Sequence, residues 1–342
     1  MPTGAAPLRQ LAPCAVDELT RTARKILADS GSPAARPGLL GRVAASATRL
    51  DETIRHHCRP VDTDDGLFVL RGLPVDDGGI GPTPAGWATA GDRAAEWDVI
   101  LLLLATAMGH PIAWEGQQEG RFVHNIVPSR GHEQEQTGAS SSVLLSPHTE
   151  DAFHPGRAHL LLLACMRNHD AVPTTAASIR KVRLAADDVA LLSRPVLPIL
   201  PDDAYTEAQS FAGEPPKVPV LWRTAAGPAL RYDPAYTPLD AAPAGYRAAY
   251  GRLTAELQRV SVAVALEPGD VLVVDNDVVV HGRVPFRARY DGTDRWLKRA
   301  SVRVPGRRSR PPAEAGEHGY GQAALVARLR PPARHPLRRD EP

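Results

Sequence analysis

The chain has 342 residues, of which 40 are Lys or Arg and 39 Asp or Glu, for a formal net charge of +1. Balanced charge gives no electrostatic ground for binding nucleic acid or an acidic membrane surface. Three widely spaced cysteines, Cys14, Cys58 and Cys165, argue against a disulfide framework and for a reducing compartment, so a cytoplasmic location is expected. No secretory leader is expected, and the longest apolar run, near 99–104, is far too short to cross a bilayer.

Val16, Leu19, Ala23, Ile26 and Leu27 recur at helical spacing, and Gly31 follows as a stop. Pro37 opens a second helical stretch carrying Leu40, Val43, Leu50 and Ile54. A strand is predicted over 66–72 between turn residues, and a buried helix over 93–108. From Arg121 the pattern changes to short strands, over 122–127, 142–145, 159–166 and 175–180. A helix at 186–192, Pro/Gly-rich loops over 195–219 and a helix at 246–260 follow. Strands at 261–266 and 271–274 flank the turn Glu267-Pro268-Gly269-Asp270, and a last strand covers 295–304. The fold expected is mainly β with flanking helices: one domain over 1–305, helical over 1–110, with a double-sheet core over about 120–305. Residues 306–342 are rich in Pro and Arg and read as a poorly ordered tail.

His148 and Glu150 are the most informative residues. A strand sends residues i and i+2 to one face, so the two can grip one ion. His281, at the end of the apolar segment 275–283, would complete two histidines and a carboxylate. That set leaves open positions on an octahedral metal, the arrangement of non-haem Fe(II) oxygenases. The competing reading is a core histidine bonded to a backbone carbonyl.

Arg295, Leu297 and Arg299 fall on one face of a strand. Two guanidinium groups inside a β core need an anion, either a protein carboxylate or the distal carboxylate of 2-oxoglutarate.

These segments resemble clavaminate synthase and related amino-acid hydroxylases, which are Fe(II)/2-oxoglutarate oxygenases on a double-stranded β-helix, or jelly roll. The resemblance rests on 148–154, on Asp275-Asn276 through His281-Gly282-Arg283, and on 290–297, and covers roughly 67–304. It implies that His148, Glu150 and His281 hold Fe(II). It also implies that Arg295 anchors 2-oxoglutarate, with Arg299 beside it or reaching the substrate. Thr174 or Thr175 resembles the threonine that helps hold the cosubstrate. Gln117 and Gln118 resemble the stretch that binds the backbone groups of the amino acid, with a solvated polar loop as the alternative; Asn125 stands where the family has aspartate. Asp233 lies near where relatives meet a basic or amide side chain, although an aspartate before Pro234 also suits a turn. Ala235 replaces a second carboxylate, which ranks a neutral amide, a ureido group or a single amine ahead of arginine.

The reaction implied is hydroxylation, C3 favoured, of a free or carrier-tethered amino acid, using O2 and releasing succinate and CO2. Glu150 fills the place a halide would need, which argues against halogenation. Desaturation, cyclisation and a non-catalytic β-barrel binding protein are the alternatives.

Overall fold

The computed structural model describes residues 6–30, 37–60, 62–205 and 211–326. Gly31 and the stretch 327–342 of the expected tail lie outside them. The helices are α1 (Pro13–Ser30), α2 (Pro37–Ala47), α3 (Glu52–Cys58), α4 (Asp77–Ile80), α5 (Ala95–Met108), α6 (Ala186–Leu192) and α7 (Ala244–Val260). The strands are β1 (Leu8–Gln10), β2 (Leu67–Arg71), β3 (His110–Trp114), β4 (His124–Ile126), β5 (Leu145–His148), β6 (Leu160–Arg167) and β7 (Thr174–Ser178). They continue as β8 (Leu221–Thr224), β9 (Gly227–Leu230), β10 (Val262–Val264), β11 (Val271–Asp275), β12 (Val279–Arg283), β13 (Trp296–Arg303) and β14 (Ala324–Val326).

The major sheet has the order β1-β2-β11-β6-β13-β3-β14, with β4 also on β13; the minor sheet runs β10-β7-β12-β5. The sheets face each other as the expected jelly roll, with helices outside. Strand β6 explains why its sequence is apolar without alternation. Leu160, Leu162, Ala164 and Met166 pack under the helices, while Leu161, Leu163 and Cys165 face the minor sheet. Both faces are therefore dry. Helix α5 is apolar all round because α1, α2 and α3 cover one side and β13 the other. Gly269 turns the chain into β11 at φ +93°, and a Cβ there would stand 1.8 Å from the Leu73 carbonyl oxygen.

The segment 306–326 is not the poorly ordered tail its composition suggests. Arg307 and Arg308 pair with Asp275, Arg310 pairs with Asp277, and β14 adds to β3. Arginine-rich sequence reads as solvated, but these arginines meet carboxylates such as Asp275, 33 residues before Arg308. The strand expected at 142–145 lies at Leu145–His148, and β1, β3, β8, β9 and β14 fall where no strand was expected.

Candidate active site

Strand β12 places His281 directly opposite His148 on β5. Gly282 permits this approach, since a Cβ there would come within 2.5 Å of the Leu145 carbonyl oxygen. Strand β5 ends at His148, and the chain turns at Asp151 with φ 52°. Glu150 thus sits past the strand rather than on it, yet its carboxylate returns to the same point. The ligand atoms of His148, Glu150 and His281 all lie within 4.8 Å of one another. Glu150 Oε2 is 3.4 Å from His281 Nε2 and 3.8 Å from His148 Nε2.

His148 Nδ1 lies 2.8 Å from the Ser146 carbonyl oxygen, to which it donates in the tautomer that leaves Nε2 with a free lone pair toward the site. Burial works against an imidazolium there, yet the Glu150 bond and the Asp233 charge outweigh it and push His148 up to about 9. Burial likewise opposes the charge of Glu150, but Arg299 and the two imidazoles hold its carboxyl well below the usual range. A buried carboxylate converged on by two imidazole nitrogens suits a divalent cation.

Arg295, immediately before β13, is 9% exposed. Its Nη2 donates to Thr174 Oγ1 at 2.9 Å, its Nε has no partner, and no carboxylate among the described residues pairs with it. Burial lowers its pKa to about 10. Thr174 is the threonine that meets this arginine; the buried Thr175 hydroxyl has no partner among the described residues and stands against Gly282.

Arg299 is turned to the triad. It donates to Glu150 Oε1, to Gln117 Oε1 at 3.0 Å and to His124 Nδ1 at 2.8 Å. Burial and the Arg299 charge push His124 down to about 3, so its imidazole stays neutral and accepts. Gln118 instead bonds both main-chain groups of Asn125, whose side chain accepts from Trp296 Nε1. That bond gives the asparagine a structural use. Asp233 caps its own turn by accepting from the Ala235 and Tyr236 amides, and burial pushes it up to about 6.

Asp202, which no motif marked, and Asp151, which lies in the 148–154 motif but was given no role, also belong here. Asp202, in the Pro/Gly-rich loop, lines both the cavity at the triad and a wider annex of ≈ 320 Å³. Burial, then the Asp151 and Glu150 charges, push it up to about 7. Asp151 accepts from Trp114 Nε1 and from the hydroxyl of Tyr205, each at 2.7 Å, and so ties the Asp202 loop to the residue after Glu150.

Residues 100–301 match the model of the family described as taurine catabolism dioxygenase TauD, TfdA family. The chain belongs to the TauD/TfdA dioxygenase family. It is 38% identical over 269 residues to enduracididine beta-hydroxylase of Streptomyces hygroscopicus, covering 72% of this chain and 79% of that one. It is 37% identical over 278 residues to L-asparagine oxygenase of Streptomyces coelicolor, covering 77% and 78%. The crystal structure of the non-heme iron oxygenase OrfP with Fe and alpha-ketoglutaric acid superposes with a TM-score of 0.77 at 36% identity, over 90% of this chain and 98% of that one. This TauD/TfdA chain is therefore an Fe(II)- and 2-oxoglutarate-dependent oxygenase that uses O2. Among the described residues no helix is long and apolar enough to cross a membrane.

Proposed function

We propose that the enzyme hydroxylates C3 of a free amino acid with a basic side chain, in the cytoplasm. Iron, 2-oxoglutarate and O2 together supply the oxidant for an unactivated C–H bond, releasing succinate and CO2. His148, Glu150 and His281 would hold the iron. Arg295, backed by Thr174, binds the distal carboxylate of 2-oxoglutarate as a planar fork. Arg299, steadied by Gln117 and His124, presents its remaining donor capacity to the substrate carboxylate.

One observation carries this reading. A triad of ligand atoms within 4.8 Å sits in the same cavity as Arg295, which no described carboxylate pairs. The side-chain preference has separate support, because relatives of near-equal identity carry names with different substrates and do not select one. The annex is lined by Asp202 and Asp203, by Glu135 with His132 at 2.8 Å beside it, and by one arginine, Arg299, that pairs with Glu150. Asp202 lines both the triad cavity and the annex, and burial raises it, so a cationic side chain entering the annex would favour its charged form. Asp202, rather than Asp233, is the carboxylate this reading sets against the substrate side chain.

A screen of arginine, ornithine, lysine, citrulline, glutamine and asparagine, read as succinate release with product mass spectrometry, tests both parts. Preference for the basic members and oxygen at C3 are expected. Turnover of asparagine or glutamine ahead of all basic members removes the side-chain assignment, and turnover only of a carrier-tethered amino acid removes the free substrate.

A further inference from the structure

Asn276 lies in the turn between β11 and β12, fully buried, five residues before His281. It touches none of the groups assigned above through their side chains. Instead its amide grips the main chain of one of them. Oδ1 accepts from the Glu150 N–H at 2.7 Å, and Nδ2 donates to the Glu150 carbonyl at 3.0 Å and to the Ala158 carbonyl at 3.2 Å. A side-chain amide thus makes the pair of bonds that a neighbouring strand would make.

The clamp falls where no strand is available. Ladder pairing between β5 and β12 stops at His148 and His281, and the chain then swings away at Asp151. Without Asn276, the Glu150 amide and carbonyl would be buried and unpaired. The Glu150 side chain hangs on rotatable bonds from that point, and its far end is held by Arg299 on Oε1, leaving Oε2 toward the two imidazoles. One segment, 276–281, therefore fixes all three ligands: His281 by covalent connection, His148 by register, and Glu150 through the amide.

We propose that Asn276 is a positioning residue that sets the iron-binding carboxylate of Glu150. The proposal rests on the reading of His148, Glu150 and His281 as the iron ligands. Partners of metal ligands typically change metal affinity by about 10–100-fold when removed.

The test titrates Co(II) alone into the metal-free full-length chain, following the visible cobalt spectrum. It compares the parent with Asn276→Ala, Asn276→Asp and the core control Ile100→Val, with thermal midpoints measured alongside. Asn276→Asp keeps the acceptor for the Glu150 N–H but loses both donors. The expected result is a weakening of Co(II) binding by about tenfold or more in the Asn276 variants, a parent-like affinity in Ile100→Val, and more succinate formed per hydroxylated product. The KM for the amino acid should move less than about twofold, because Asn276 does not touch the annex. If Asn276→Ala does not fold, Asn276→Asp is read by the same criteria. A smaller loss of affinity, an equal loss in Ile100→Val, or failure of both Asn276 variants to fold overturns the proposal. If the parent itself binds no Co(II), or if His281→Ala still binds it, the triad reading falls and the clamp with it.

Discussion

The two ends of β12 hold the same kinds of charged residue in opposite states. At its start, Asp275 meets Arg307 and Arg308, Asp277 meets Arg310, and the buried Arg157 and Arg231 meet Glu314 and Glu317. At its finish, His281 and Arg283 look onto Arg295, whose donors find a hydroxyl and no described carboxylate. Arg283 spends its own donors on the Ser140 hydroxyl and on carbonyls of Ser140, Val143 and Val284. Burial alone does not separate structure from function here. Pairing does: the closed end is internally neutralised, and the open end keeps Arg295 without a described carboxylate, as the proposed 2-oxoglutarate site requires.

The largest effect that breaks this contrast comes from the ligands. His148→Ala or His281→Ala should abolish turnover and metal binding, measured by succinate release and Co(II) titration, while thermal unfolding without metal changes little. Retained iron affinity in either variant would falsify the ligand assignment. Next in size is the closed end. Arg157→Met leaves Glu314 and Asp277 short of a buried partner and should lower stability by about 3–5 kcal/mol in urea unfolding. The KM for 2-oxoglutarate in the remaining folded enzyme should stay unchanged.

Arg295→Lys inverts that pattern. It keeps the charge and loses the fork, so stability should hold while the KM for 2-oxoglutarate rises by about 10–100-fold, equivalent to roughly 1.5–3 kcal/mol. An unchanged KM would move the anchor to Arg299. The smallest effect sharpens the annex. Asp202→Asn should raise the KM for a basic amino acid several-fold and that for a neutral one far less. Equal shifts for both would show that Asp202 shapes the loop rather than reading charge.

The sequence made the triad legible because His148 and Glu150 are two residues apart and His281 follows the apolar run 278–280, although Glu150 lies past β5 and His281 at the middle of β12. Arg295 and Arg299 were legible as a pair by the period of two. Their different tasks were not, since only the fold shows that Arg299 lies across from His124 on β4 and reaches Glu150. Thr174 and Thr175 necessarily point to opposite faces, but which face is inward depends on β12 beside them. Asp202 carried no local pattern. The segment 306–326 misled because ion pairs between residues far apart in sequence leave no trace in composition. Helices α1, α6 and α7 emerged from periodicity, whereas β8 and β9 are four-residue strands too short to show one.

The ion pairs between 307–317 and the earlier chain also impose an order of assembly. Arg231 and Asp275 leave the ribosome before their ion-pair partners exist, while Arg157 and Asp277 have only each other. Until 307–317 follow, Arg231 and Asp275 would have to be enclosed without their ion-pair partners, which opposes closure of the turn bearing Asn276. A message cut short at 306 would therefore yield no weakened oxygenase. It would yield a chain held open at its metal turn, exposed to proteases and to aggregation through unfinished sheet edges.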